Sequence, residues 1–315
     1  MNISRQLPSV AGISGGRTSA YMAINALTPK DCIWAFQNTG EESEKTLDFL
    51  CRIEDWTKRE IVRLEWRPGP RRDDPPKKHT FQVVSHRELA RKGEPFRELL
   101  ECISAYRKTK DAEPLAPWAG SRLCTAYLKI RTQHRYMRSL GFDQYRQFVG
   151  LRHDEPSRIA AGRSGSRPSV VNVYPLDTKL VTKHVVMSFW SKMPFDLEIP
   201  EHLGNCKGCF MKDERDLATA LLDPSVDAEF YLAIERDFGP MRRGRPSYEQ
   251  VLAEAPERMR IRQAVADGTP IVSALEPRRH RLIVRQEQKP KSDPWSCSCE
   301  GAELLASEDD ESEAA

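Results

Sequence analysis

Short apolar runs alternate with helical ones along the first 58 residues, and this alternation limits the fold more than any other feature. Residues 8–13 predict a buried strand, and a helical run through residue 27 follows after a short loop. A second strand is predicted at residues 32–37 and a second helix at about residues 43–58. Repeated strand and helix units favour an α/β fold with a doubly wound parallel sheet, which binds ligands at the carboxyl ends of its strands.

The alternation continues to about residue 190. Further strands are predicted at residues 81–84, 145–150 and 170–174, and further helices at residues 95–107, 124–140 and 182–190. Residues 67–79 contain four prolines among charged side chains and predict a loop. Residues 158–167 combine glycines and serines with basic side chains, which predicts either a lid over the substrate or a plain surface linker.

The chain has 315 residues, of which 39% are hydrophobic, and this can bury one sizeable core and a small second module. We expect a nucleotide-binding α/β domain at residues 1–212. Charged amphipathic runs predict a helical C-terminal region at residues 213–295. Residues 296–315 form a cysteine-containing acidic tail that we expect to be partly disordered.

Positive charge is concentrated in two stretches, residues 129–146 and 278–291, although the net charge is only +3. These stretches indicate either solvated faces or an electropositive rim that attracts nucleotide phosphates or a nucleic-acid backbone. No stretch has the roughly 18 apolar residues of a membrane span, and the N-terminus lacks the pattern of a signal peptide. We therefore expect a cytoplasmic protein without membrane contact.

The loop after the first predicted strand is the strongest candidate for ligand binding. It reads SGGRTS, and its two glycines let backbone N–H groups approach phosphate oxygens where the first helix begins. The hydroxyl groups of Ser14, Thr18 and Ser19 add donors, and Arg17 adds a positive charge. The spacing G-x-x-x-x-G-K-[ST] is absent, so this is not a Walker-type loop.

Five of the eight cysteines stand in polar turns, where burial as small apolar side chains does not explain them. They are Cys124, Cys206, Cys209, Cys297 and Cys299. The spacing of Cys206 and Cys209 suits one metal ion or cluster. Three alternatives stay open: a cysteine-bound iron–sulfur cluster, structural zinc held by Cys206, Cys209, Cys297 and Cys299, or free thiols.

Six segments resemble, in the same order, segments of the PP-loop ATP pyrophosphatases and phosphoadenosine phosphosulfate (PAPS) reductases. They are SGGRTS, FQNTGEESEKTLDF, RLCTAYLKI, GLRHDEPSR, YPLDTKLVTKHVVMSFW and GNCKGCF, and they lie within residues 9–212. GEPF at residues 93–96 and RPSY at residues 245–248 are similar to phage and bacterial members of that family. The resemblance implies a Rossmann-like sheet of the adenine nucleotide α-hydrolase type, which binds ATP or an adenylyl sulfonucleotide.

The resemblance also implies the residues of the site. Those expected at the nucleotide are Ser14, Gly15, Gly16, Arg17, Thr18, Ser19, Thr39, Gly40, Glu41 and Gly150. Those expected to act in catalysis are Lys129, Arg152, Asp154, Arg158 and Cys299. Mg²⁺ would assist if ATP is used. Related proteins hold a [4Fe-4S] cluster with three or four cysteines, which here would come from Cys124, Cys206, Cys209, Cys297 and Cys299.

The tail departs from the assimilatory PAPS reductases, whose nucleophilic cysteine stands in a Glu-Cys-Gly-x-His motif. Here the tail reads WSCSCEGAE, and no histidine follows. Three functions stay open: reduction of a sulfonucleotide by Cys297 or Cys299 with an external thiol donor, ATP-dependent thiolation of tRNA or DNA through a cysteine-bound cluster, and nucleotide binding without catalysis. Assembly into a homo-oligomer also stays open.

Overall fold

The computed structural model describes residues 7–164, 169–204, 206–271 and 273–289, with the backbone alone described at Ser164. These residues form one six-stranded sheet with the order β4-β3-β2-β1-β5-β6. Its strands are β1 (Ser9–Gly12), β2 (Ile33–Asn38), β3 (Ile61–Arg67), β4 (Thr80–Val84), β5 (Tyr145–Phe148) and β6 (Val170–Val173). All neighbouring strands are parallel except β4, which runs antiparallel to β3. The predicted α/β fold with a mostly parallel sheet is confirmed.

The described helices follow the strands and then continue beyond the sheet. They are α1 (Arg17–Ile24), α2 (Glu44–Thr57), α3 (Glu94–Lys108), α4 (Thr132–Ser139), α5 (Pro156–Ser164), α6 (Pro175–Thr178), α7 (Lys183–Trp190), α8 (Glu214–Leu221), α9 (Ala228–Phe238), α10 (Tyr248–Asp267) and α11 (Pro277–Gln288). A π-helix at Cys124–Arg131 leads directly into α4. Short 3-10 turns occupy Pro76–Lys78, His86–Glu88 and Glu201–Leu203. None of the described helices combines the length and apolar character needed to cross a membrane.

Side chains alternate between the two faces of the central strands, and helices cover both faces. In β1, Val10 packs on one face with Met137 of α4, whereas Ala11 packs on the other with α1, α2 and α7. A third cluster joins α3 and the π-helix to α8, α9 and α10. Helices α8, α9 and α10 therefore share a core with α3 and the π-helix.

The structure differs from the prediction in three segments. Strand β3 was not predicted, because its sequence IVRLEWR carries Arg63 and Glu65, both of which are buried through ion pairs. The single helix predicted at residues 124–140 is divided into a π-helix and α4. Residues 156–164 form α5, so this part of the predicted lid or linker is helical, while residues 165–168 lie outside the described residues.

The strand order places a crevice beside β1. The chain moves from β1 to β2 on one side of the sheet, whereas β5 lies on the other side of β1 and leads to β6. The connections that follow β1 and β5 therefore lead to strands on opposite sides of β1. In open α/β sheets this is the position at which ligands bind.

Candidate functional site

The turn between β1 and α1 has a backbone that only glycine accommodates. Gly15 has a φ of +75°, and a Cβ atom there would lie 2.4 Å from Cγ2 of Thr46 on α2. Ser14 closes the turn, because its N–H donates to Oγ of Ser19 at 3.1 Å and the two hydroxyl groups lie 3.0 Å apart. The serine hydroxyl groups thus hold the loop against α1.

The start of α1 presents unused donors. Gly16 is the N-cap residue, and no side chain caps the helix there. Within the described residues, the N–H groups of Gly15 and Gly16 donate to no other protein group. Free N–H groups and the positive end of the helix dipole together favour an anion at this position.

The segment after β5 contacts the same turn. A Cβ atom at Gly150 would lie 3.2 Å from Cα of Ser19, so the missing side chain lets this segment pack closely against α1. Arg152 is only 4% exposed, and its guanidinium donates to Oγ1 of Thr18 at 3.4 Å. The structure therefore brings Arg152 to the β1–α1 turn, as the resemblance implied.

Asp154 holds Arg152 in place. Its carboxylate accepts from Nε of Arg152 at 3.0 Å and from the backbone N–H of Lys183 at 3.0 Å. Burial alone would raise the pKa of Asp154, but the Lys183 N–H and Arg152 hold that pKa below its usual range. Asp154 thereby joins the β5 segment to the first turn of α7. Nearby, Glu155 accepts from the backbone N–H of Arg152 and pairs with Arg158.

These elements enclose one cleft. Its positively charged lining comes from Lys129 of the π-helix, Arg152 of the segment after β5, Arg158 of α5 and Lys183 of α7. Its full described lining is Ser14, Gly15, Gly16, Arg17, Thr18, Glu42, Thr46, Lys129, Arg152, Arg158, Lys183, Val186, Met187, Leu197, Ile199 and Cys206. The lining thus combines polar, mostly cationic residues with four apolar ones. Sequence reasoning did not predict Lys183 or the four apolar residues.

Arg17 lines the cleft but is held by a carboxylate. Its guanidinium makes a bidentate pair with Asp196, with N–O distances of 2.7 and 2.8 Å, and donates to the carbonyl of Leu197. Bidentate pairing fixes the guanidinium plane and neutralises its charge. Arg17 therefore fastens the segment after α7 to α1, and its predicted contribution of charge to a phosphate is offset by Asp196.

The two adjacent glutamates in the turn after β2, Glu41 and Glu42, lie in different environments. Glu42 lines the cleft and accepts from the N–H and hydroxyl of Thr39 at 3.1 and 2.9 Å. Gly40 has a φ of +83° and packs against Gly93, leaving no room for a Cβ atom. Glu41 instead accepts from the hydroxyl of Tyr231, and it is not among the described residues that line the cleft.

Glu41 is buried, and its environment changes its acidity. Burial raises the pKa of its carboxyl to about 7, although the hydrogen bond from Tyr231 and the charge of Lys207 act in the opposite direction. A carboxyl group of this kind changes charge near neutral pH. Of the two glutamates, Glu42 is the one among the described residues that line the cleft, and the nucleotide contact of Glu41 stays a prediction.

Of the five cysteines singled out, Cys206 is the one that lines the cleft in the part of the chain described. Its Sγ lies 3.6 Å from Oγ1 of Thr39. Burial, the largest cause, and the nearby Glu42 raise the pKa of the Cys206 thiol to about 12, while Lys129 acts in the opposite direction. Burial likewise raises the pKa of Cys124, which Lys129 again opposes. Cys206 is therefore a protonated thiol at neutral pH.

The predicted metal ligands are not assembled by the described residues alone. Within these residues, no three His, Cys, Asp or Glu side chains are placed to hold one metal ion. Cys209 follows Cys206 in a tight turn, in which its N–H donates to the Cys206 carbonyl at 3.3 Å. Cys297 and Cys299 lie outside the described residues. The predicted cluster or zinc site stays a prediction.

Comparison with known proteins finds one similar protein from a phage. No protein family model and no solved structure matches the chain. The chain is similar to the uncharacterized nin region protein ORF290 of Escherichia phage lambda, with 26% identity over 220 residues. The aligned part covers 68% of this chain and 70% of that protein.

Proposed function

We propose that this chain is an enzyme of the PAPS reductase-like type that binds an adenine nucleotide in the cleft and carries out sulfur-transfer or reduction chemistry there. One observation carries the proposal: four basic residues from four separate segments, Lys129, Arg152, Arg158 and Lys183, line one cleft with the β1–α1 turn. Such convergence suits the phosphates or sulfate of a nucleotide, since several cations and N–H donors face one volume.

The lining also suggests how the nucleotide lies. The phosphates would contact the N–H groups of Gly15 and Gly16 and the four basic side chains, while the base would pack on the apolar residues of the lining. These residues are Val186 and Met187 on α7 together with Leu197 and Ile199. A cleft with an apolar wall and a few fixed polar groups is the usual form of a small-ligand site.

The proposed catalysis is electrostatic. The Gly15 and Gly16 N–H groups, Lys129 and Arg152 would stabilise negative charge as it develops on a departing phosphate or pyrophosphate. Asp154 would keep the Arg152 guanidinium in position, as its 3.0 Å hydrogen bond indicates. Magnesium would enter as part of Mg·ATP. A cluster or zinc ion stays a prediction that depends on Cys297 and Cys299, and no part of this catalysis requires it.

Lys129→Met tests the cationic side of the cleft. We expect Mg·ATP to bind about 10- to 100-fold more weakly, because a hydrogen bond to a charged group contributes roughly 1.5–3 kcal/mol. The measurement is titration calorimetry. Lys108→Met is the matched control, since Lys108 is an exposed lysine at the end of α3. Equal affinities for both variants would argue against phosphates at Lys129.

Product analysis separates the two reactions that the proposal allows. Sulfite release from PAPS with a thioredoxin-type thiol donor identifies reduction of a sulfonucleotide. Pyrophosphate release from ATP identifies adenylation of an acceptor, and AMP release together with sulfur in that acceptor identifies the sulfur transfer that follows. If the intact protein binds nucleotide but releases neither product, with or without added RNA or DNA, the nucleotide-binding function without catalysis is supported instead.

A specific feature of α11 favours a nucleic acid as the acceptor in the ATP-dependent reaction. Arg278, Arg281 and Arg285 are exposed and border one surface depression, since spacings of three and four residues place them on one face of the helix. Arg279, in contrast, is paired with Glu214 and Glu254. A row of exposed arginines suits a phosphate backbone.

Replacing Arg278, Arg281 and Arg285 together with glutamine tests this surface. Binding of RNA or DNA is expected to become less dependent on salt, with the slope of log K against log [salt] reduced by about 3. The affinity for Mg·ATP should stay within two-fold of that of the unmodified protein. An unchanged salt slope would exclude this face as the docking surface.

A further inference from the structure

Two buried tyrosines hold the turn between Cys206 and Cys209. Tyr231 of α9 and Tyr248, the first residue of α10, stack with ring centroids 5.2 Å apart and planes inclined by 5°. The hydroxyl of Tyr231 accepts from the N–H of Gly208 at 2.8 Å, and the hydroxyl of Tyr248 donates to the Gly208 carbonyl at 2.6 Å. Both backbone polar groups of Gly208 are therefore bound by the tyrosine pair.

The turn lies directly against the Tyr231 ring. A Cβ atom at Gly208 would be 2.3 Å from Cζ of that ring, so a side chain at this position would displace the turn. Both tyrosine side chains are buried, so water molecules cannot readily take the place of the tyrosine hydroxyl groups in these two hydrogen bonds. The position of the turn thus depends on groups that the C-terminal helices supply.

Tyr231 also joins this turn to the one that follows β2. Its hydroxyl donates to the carboxylate of Glu41, and the Glu41 carbonyl accepts from the N–H of Lys207 at 2.9 Å. Thr39 lies two residues before Glu41, and its hydroxyl oxygen is 3.6 Å from Sγ of Cys206. The tyrosine pair, the β2 turn and the cleft-lining thiol therefore form one connected unit.

We infer that Tyr231 and Tyr248 are positioning residues that hold the Cys206 thiol in the wall of the cleft. The inference rests on the proposed function, because the thiol has a role only if a reacting nucleotide occupies that cleft. It assigns a task to the C-terminal helices: they place the thiol beside the anionic part of the ligand. Removing the Tyr231 hydroxyl would leave the Gly208 N–H and Glu41 without their buried partner.

Alkylation of individual cysteines by iodoacetamide, followed by peptide mass spectrometry, tests this role. In Tyr231→Phe we expect Cys206 to react at least ten-fold faster, because the turn loses the hydrogen bond at Gly208 and the released thiol becomes more accessible to the reagent. Cys32 and Cys102 are buried elsewhere and should react within two-fold of their rates in the unmodified protein. Tyr248→Phe removes one bond to the turn and should accelerate Cys206 about three-fold or more.

Tyr145→Phe is the matched control, because it removes another buried tyrosine hydroxyl, which lies 3.3 Å from His134. It should leave the Cys206 rate unchanged. The inference is overturned if Cys206 reacts equally fast in Tyr231→Phe, Tyr248→Phe and the unmodified protein. It is also overturned if Cys206, Cys32 and Cys102 accelerate in parallel, since that indicates general loosening of the fold.

Added Mg·ATP separates this inference from the proposed function. In the unmodified protein, saturating Mg·ATP should slow alkylation of Cys206 at least five-fold, and Tyr231→Phe should lose that protection while its Mg·ATP affinity stays within three-fold. If Mg·ATP does not bind the unmodified protein, the proposed function fails. The Cys206 rates without nucleotide then still decide whether Tyr231 and Tyr248 hold the turn.

Discussion

Gly15→Ala is expected to abolish nucleotide binding and to destabilise the protein, whereas Gly141→Ala is expected to cause only a small loss of stability. Both glycines have positive φ values, +75° and +82°, so alanine carries the same left-handed backbone penalty of about 1–2 kcal/mol at each. They differ in their surroundings. A Cβ atom would lie 2.4 Å from Thr46 Cγ2 at Gly15, and it would meet nothing within 4 Å at Gly141.

The clash at Gly15 should add roughly 1–3 kcal/mol to the loss of stability, because the turn must move away from α2. That movement redirects the N–H groups of Gly15 and Gly16, and we expect Mg·ATP affinity to fall at least 100-fold. Urea unfolding and titration calorimetry measure the two effects. Adding Thr46→Ser removes Cγ2 and should restore part of both losses. Equal effects of Gly15→Ala and Gly141→Ala would contradict the close packing of this turn.

Glu41→Gln is expected to remove a pH dependence of stability that the unmodified protein shows between about pH 4.5 and about pH 7. The Glu41 pKa is raised from 4.5 to about 7 in the folded state, mainly by burial. In this window the folded protein keeps a proton that the unfolded chain releases. The free energy of unfolding therefore decreases as the pH rises, by up to ~1.4 kcal/mol per pH unit.

Above about pH 7 the carboxyl group is ionised in both states, and this contribution to the slope ends. Between pH 4.5 and pH 7 the free energy of unfolding of the unmodified protein falls by about 3 kcal/mol in total. Glu41→Gln should avoid this loss, so its free energy of unfolding should be higher at pH 8 and equal to that of the unmodified protein near pH 4. Urea unfolding at a series of pH values gives the comparison. Glu44→Gln, at an exposed position on α2, controls for the lost charge. Parallel stability curves for Glu41→Gln and the unmodified protein would show that Glu41 titrates normally.

The central strands and the β1–α1 turn could be predicted because local sequence determines them. Strands β1 and β2 are continuous apolar runs, and two adjacent glycines mark the turn between β1 and α1. Strand β3 was missed because Arg63 and Glu65 interrupt its apolar pattern. Arg63 pairs with Glu54 of α2, and Glu65 accepts from Asn38 of β2 at 2.7 Å. Such partners are recognisable only once the fold has brought them together.

Contacts between residues far apart in the sequence also decide which candidate residues can interact with a ligand. Arg17 was expected to contribute charge, but Asp196 lies 179 residues away in the sequence, and nothing local indicates their pairing. Glu41 and Glu42 are adjacent, and only the position of Tyr231 distinguishes their roles. Lys183 had an available indication, since it begins a predicted helix and the first turn of a helix that follows a strand points toward the ligand edge of such a sheet.

A crystal structure with a non-hydrolysable ATP analogue and Mg²⁺ tests the central claim most directly. The account predicts phosphate oxygens within hydrogen-bonding distance of the Gly15 and Gly16 N–H groups and of Lys129 and Arg152, with the base against Val186 and Ile199. A nucleotide bound elsewhere on the molecule, or phosphates directed away from the β1–α1 turn, would contradict it.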